Sequence, residues 1–172
     1  MRYKRARNAA LLLGIGLGGF LDGIVLHQLA HWHQMLSAAV PPESMEAMKR
    51  NMVADGWFHL ATWLATLAGV FMLWRAARGA GELPSTRGFL GQAILGWGAF
   101  NLIEGIVNHH LLGLHHVRDL PAHAPLYDWL FLLVGGLGFI GLGLALRARS
   151  ASEPAWLTGD RRSGADRRAE AA

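Results

Sequence analysis

Asp22 and His27, in the run DGIVLH, are matched 82 residues later by Glu104 and His109 in EGIVNH. Gly23, Ile24 and Val25 fall on Gly105, Ile106 and Val107, and the same shift carries Gly14, Gly16 and Leu29 onto Gly96, Gly98 and Leu111. Carboxylates and imidazoles bind transition metals and carry protons, and imidazole suits Zn, Cu, Fe and Ni. Both copies lie inside long apolar segments, where an ionisable residue is costly and is kept for use. Two acids and two histidines placed by one repeat point to a shared site near a pseudo-twofold axis. The candidate metal ligands are His27, His31, His59 and His109, with Glu104 and Asp22 as ligands or proton partners.

Four segments long enough to cross a hydrocarbon core of about 30 Å must position these residues, each needing roughly 17–25 helical residues. They run from about Ala9 to His31, Trp57 to Trp74, Phe89 to about Leu112, and Trp129 to Leu146. Backbone groups in lipid must be satisfied within the segment, so the spans are helices. Glycine is abundant in all but the second, as suits helices whose backbones approach closely. The expected fold is an all-α membrane protein of four transmembrane helices, with a parallel two-helix repeat in which the first helix resembles the third. Residues 1–8 form a basic N-terminus, 9–149 the transmembrane domain and 150–172 a disordered tail containing the echo DRRSGADRR.

Charge placement orients this bundle. Thirteen of the sixteen Lys and Arg residues flank one end of the spans, against Lys49, Arg50 and Arg118 at the other. The positive-inside rule then makes both termini cytoplasmic, with loops 32–56 and 113–128 facing outward. The high pI is a topology signal, and no nucleic-acid partner is needed to explain it. The expected location is the bacterial inner (cytoplasmic) membrane, as a multi-pass protein whose first partner is the lipid bilayer. Absence of cysteine excludes disulfides and thiolate metal sites. The N-terminal run imitates a signal peptide, with Ser37-Ala38-Ala39 as a mock cleavage site, but it is too long and carries Asp22, His27 and His31. An uncleaved first helix is expected. In the outer loop, Glu43 to Val53 reads as a short amphipathic helix on the membrane surface, with Met45, Met48 and Met52 on one face. A methionine-lined approach for Cu(I) is the sharper reading of that face.

All nine histidines fall in the outer half. At 1.5 Å rise per residue, Asp22 lies about 3 Å outward of the midplane, and Glu104, His27 and His59 about 8–11 Å. His31, His109 and His110 come out near about 15 Å. Asp55, one turn before His59, is placed to fix its tautomer. On a regular α-helix Asp22 stands about 140° from His27. The acid and the histidine of each copy are thus expected to flank a glycine seam rather than share a face. Asn101, Glu104 and Asn108 form one polar stripe, and His59, Thr62, Thr66 and Gly69 another. The bland reading makes Asp22 and Glu104 structural hydrogen-bond donors, and His33, His115, His116 and His123 ordinary headgroup-level residues.

The runs GFLDGIVLHQLAHWHQMLS, DGWFHLATW, FNLIEGIVNHHLLGLHHVRD and LYDWLF resemble a bacterial membrane-protein family known as domain of unknown function 2243. The resemblance covers about residues 10–147 and implies a four-helix membrane protein with no established activity. It also implies a second histidine after the WH pair and an acid before the HH pair. Here Gln34 and Asn108 stand at those places, which weakens a ligand role for them. Relatives joined to modules resembling cytochrome oxidase assembly factors would imply a copper context, with respiratory or metal-handling membrane proteins as partners.

The leading expectation is an integral membrane protein binding a transition metal (Cu, Zn or Fe) through an outward-facing His/carboxylate cluster. Mixed ligands favour Zn or Fe over Cu(I). A b-type haem held by His27 and His109 is the alternative. A structural or proton-coupled partner without metal is a third reading, and as a transporter it would require a homo-oligomer. HQLAHWH and HHLLGLHH loosely resemble the histidine boxes of membrane di-iron enzymes, but the spacing and the expected side of the membrane differ. Enzymatic activity is therefore the weaker expectation.

Overall fold

Long apolar stretches broken only by glycine and a few ionisable residues give four long helices in the computed structural model, which describes residues 2–80 and 83–151. They are α1 (Arg2–Leu29), α2 (Met45–Ala77), α3 (Thr86–Leu111) and α4 (Pro125–Ser150), each long and apolar enough to cross a membrane. No strand occurs among the described residues. The helical backbone of α1 includes the basic residues Arg2, Lys4, Arg5 and Arg7. The tail expected beyond residue 149 lies outside the described residues, apart from Ser150 and Ala151, whose backbone is still helical.

The amphipathic piece expected at 43–53 is not separate. Ser44 caps α2 by accepting from the Ala47 N–H at 3.2 Å, and the helix then runs unbroken for 33 residues. Asp55 and Gly56 fall within it. Asp55 sends its side chain to other elements, and Gly56 is tolerated inside the helix. Met45, Met48 and Met52 are exposed.

α1 and α3 pack on each other at the centre, α2 on α1 and α4 on α3. The interior is inverted relative to a protein in water. Most large aliphatic and aromatic side chains point outward, whereas the buried apolar set is confined to small residues such as Ala6, Ala9 and Ala10 plus Val117 and Leu132. Lipid is as apolar as leucine, so helix association relies on close backbone approach and polar contacts. At the α1–α3 crossing a Cβ on Gly14 would run into the Ala93 carbonyl oxygen, and one on Gly96 into the Leu11 carbonyl oxygen. On the α3–α4 side, Asn101 Nδ2 donates to the Gly135 carbonyl at 2.9 Å.

Contacts divide the bundle into two ends. At one, Arg2 donates to the Ala76 and Ala77 carbonyls and Ser85 bonds Ser150, joining the start of α1, the α2–α3 connection and the end of α4. At the other, loops 30–44 and 112–124 interlock. Ala38 N–H reaches the Leu114 carbonyl at 3.1 Å, and Leu120 N–H reaches the Trp32 carbonyl at 2.8 Å. Every described histidine lies toward this second end.

Candidate metal centre

α1 and α3 do not stay α-helical to their ends. From Gly23 to Leu29 and from Gly105 to Leu111 the backbone widens into π turns. These close with i→i+5 bonds from Ala30 N–H to the Val25 carbonyl and from Leu112 N–H to the Val107 carbonyl, both 2.8 Å. Such turns are uncommon and concentrate at functional sites. Taking more residues per turn brings residues five apart onto one side, which overturns the expected glycine seam between acid and histidine. Asp22 Oδ2 lies 3.2 Å from His27 Nε2, and Glu104 Oε1 lies 3.2 Å from His109 Nε2.

Beyond each π turn the chain reverses through a left-handed residue, His31 (φ 51°) or Gly113 (φ 56°), and delivers a further histidine two positions later. These are His33 and His115, both fully buried, with rings stacked at 4.6 Å between centroids and 12° between planes. Their supports are reciprocal. His33 Nδ1 donates to the Val117 carbonyl at 2.9 Å, and His115 Nδ1 donates to the Met35 carbonyl at 3.1 Å. A carbonyl only accepts, so each Nδ1 carries a hydrogen. Burial, with the neighbouring His115 and His27 adding to it, lowers the His33 pKa to about 2, so its imidazole is neutral at physiological pH.

Carboxylates of the outer helices face the other two imidazoles. Asp55 of α2 accepts from His27 Nδ1 at 3.0 Å and from the Met35 N–H at 2.7 Å through one oxygen. Asp128 of α4 lies 3.4 Å from His109 Nδ1 and accepts from the Val117 N–H at 2.8 Å. Asp55 therefore orients His27, not His59 as the spacing suggested. His59 donates Nδ1 to the Asp55 backbone carbonyl at 2.7 Å and stands half-buried against Gly23, its ring centroid 6.3 Å from that of His27.

Six side chains thus converge: Asp22, His27 and His33 from the first half, Glu104, His109 and His115 from the second. All are buried. Asp22 Oδ2, Glu104 Oε2 and the Nε2 atoms of His27, His33 and His109 are sealed from solvent without a hydrogen-bond partner. The close pairs at 3.2 Å are proximity without hydrogen-bond alignment, as when two ligand atoms aim at a common point. His115 Nε2 lies 2.8 Å from Glu104 Oε1, although its hydrogen is already on Nδ1. A lone pair facing a carboxylate at that distance requires positive charge between them, from a proton or a metal ion. Stranding so many buried polar atoms would cost several kcal/mol, at about 1–3 kcal/mol each. A cation would satisfy them together.

His27, His33 and His115 could hold a metal ion, as could Glu104, His109 and His115; within each set the ligand atoms lie within 4.8 Å of one another. Of the residues expected from sequence, Asp22, His27, Glu104 and His109 are brought together, and His59 stands beside them. His31 is exposed and belongs to neither set; its place is the left-handed turn that ends α1. His33 and His115, read as headgroup-level residues, are instead fully buried and stacked on each other. The 82-residue shift itself carries His33 onto His115, a signal that was present in the sequence.

The chain matches the family described as "Predicted membrane protein (DUF2243)" over residues 9–150. No curated protein and no solved structure matches it.

Proposed function

Since this chain belongs to the DUF2243 family of predicted membrane proteins, we propose that its role is to hold a transition-metal ion in a buried His/carboxylate centre of the bilayer. The observation that carries this reading is the set of sealed, unpartnered ligand atoms on Asp22, His27, His33, Glu104 and His109. Four imidazoles and two carboxylates are borderline-to-hard donors, which favours zinc, iron or copper(II) over copper(I). The carboxylates of Asp22 and Glu104 also supply negative charge that offsets the cost of burying a divalent ion in a low-dielectric interior. Asp55, Asp128 and the Met35 and Val117 carbonyls serve as the outer partners that fix ring orientation at metal sites.

The recurrence after 82 residues of Asp22, His27, His33 and Met35 as Glu104, His109, His115 and Val117 supports reading the two halves as one repeat about a pseudo-twofold axis, with His33 and His115 stacked across it. The haem alternative fits less well. A porphyrin bound by His27 and His109 would need a slot between them. The His115 ring lies there, with centroids 5.9 Å from His27 and 4.9 Å from His109. Copper delivery along Met45, Met48 and Met52 gains no support either, since the centre contains no thioether.

Elemental analysis and an absorption spectrum of the detergent-purified chain, prepared without a histidine tag, test this reading. The expected result is stoichiometric transition metal with no Soret band, lost in His27→Ala and His115→Ala. Protein that stays metal-free after reconstitution with Zn2+, Fe2+ and Cu2+, or that shows a Soret band, would overturn it.

A further inference from the structure

Asp128 does more than its counterpart Asp55. Its Oδ1 repeats the duties of Asp55 Oδ1, one toward an inner histidine and one toward a backbone N–H. Its Oδ2 lies 3.1 Å from His116 Nδ1 and 3.3 Å from His123 Nε2. The rings of His116 and His123 stack at 4.0 Å between centroids and 18° between planes. The three ligand atoms lie within 4.8 Å of one another, and His116 Nδ1 is sealed without a hydrogen-bond partner. Shifting back by 82 residues puts Gln34 and Pro41 where His116 and His123 stand. The first half therefore orients His27 without such a triad, and positioning His109 does not explain this one.

Exposure separates the triad from the inner centre. The side chains of His116 and His123 are 24% and 43% exposed, and Asp128 is buried. A cleft of about 510 Å³ opens beside them, lined in part by Glu43 and Asp119, whose carboxylates attract cations. Two imidazoles and one carboxylate leave a fourth position for water, the arrangement of an exchangeable zinc-type site rather than a closed one. Asp128 spans the short distance inward, since its other oxygen faces His109.

We propose that His116, His123 and Asp128 form a second divalent-metal site, open to solvent, through which the buried centre is loaded. The loading role rests on the metal-holding function proposed above; the outer site itself does not.

Zinc binding to the full-length, untagged chain in detergent tests it. Zinc per chain is measured before and after a brief chelator wash, and the stripped protein is timed as it regains wash-resistant zinc. Wild type is expected to carry one more zinc before the wash than after. His123→Ala and His116→Gln should lose that washable zinc, keep the wash-resistant metal and reload about tenfold more slowly. His115→Ala should show the reverse, losing the wash-resistant metal and keeping the washable ion. Washable zinc undiminished in both outer variants overturns the outer site, and reloading at the wild-type rate overturns its loading role. Wash-resistant zinc absent from every protein would defeat the inner centre, while the washable difference would still decide the outer one.

Discussion

His27, His33 and His115 are each held by a hydrogen bond at Nδ1, and Asp128 faces Nδ1 of His109, so that the Nε2 atoms are aimed before any ion arrives. The carbonyls of Val117 and Met35 hold His33 and His115, and the carboxylates of Asp55 and Asp128 address His27 and His109. A ligand whose tautomer and ring angle are set in advance loses little freedom on binding, which is where outer partners gain their influence. Asp55→Asn tests this at one atom. The amide retains the volume and the carbonyl that accepts from the Met35 N–H, but removes the negative charge behind His27. Metal affinity should fall about 10–100-fold, with helix content and thermal stability of the metal-free protein close to wild type. An unchanged affinity in competition with a chelator would show that His27 is not a ligand. The sequence displayed Asp55 but assigned it to His59, its helical neighbour one turn on. What decided otherwise was the loop after α1, which folds back so that Met35 and His27 both reach the same carboxylate, a contact between segments that spacing within one helix cannot reveal.

At the scale of elements, two departures from the α-helix make the site, and both hide from helical-wheel reasoning. A wheel of 3.6 residues per turn puts Asp22 and His27 apart, whereas the π turns from Gly23 and Gly105 put each acid beside its histidine. The four spans were legible because their apolar length is a direct demand of the bilayer, and the acid–histidine repeat was legible as text. The widened turns were not, since the 3.6-residue period used to place side chains on a helix does not apply within them. Glycines at the crossing were read correctly as sites of close approach, and they make a quantitative test possible. Gly14→Val places a side chain where the Ala93 carbonyl lies, and Gly96→Val does the same at Leu11, so each should destabilise the bundle by about 1–3 kcal/mol or more. Gly141→Ala in α4 meets nothing within 4 Å and should be neutral or stabilising by up to about 1 kcal/mol. Thermal unfolding in detergent separates them, and equal effects at Gly14 and Gly141 would refute the close crossing of α1 and α3.

For the whole molecule, the decisive asymmetry is between the ends of the bundle. The described basic residues of the N-terminus, the α2–α3 connection and the end of α4 gather at one end, as the contacts of Arg2 with Ala76 and of Ser85 with Ser150 show. The histidines and the interlocked loops occupy the other. The positive-inside rule assigns the basic end to the cytoplasm, because arginine and lysine resist translocation. The metal centre and its outer triad would then open to the periplasmic or extracellular side, and metal would be drawn from there. The chain contains no cysteine, so single cysteines report orientation without background. Lys49→Cys lies exposed on α2 near the histidine end, and Thr86→Cys lies exposed at the start of α3 at the basic end. A membrane-impermeant maleimide applied to intact bacterial cells should label the cysteine at 49 and leave the one at 86 unmodified until the membrane is opened. The reverse pattern would turn the protein over in the membrane, make the cytoplasm the source of its metal, and leave the coordination chemistry of the six convergent side chains unchanged.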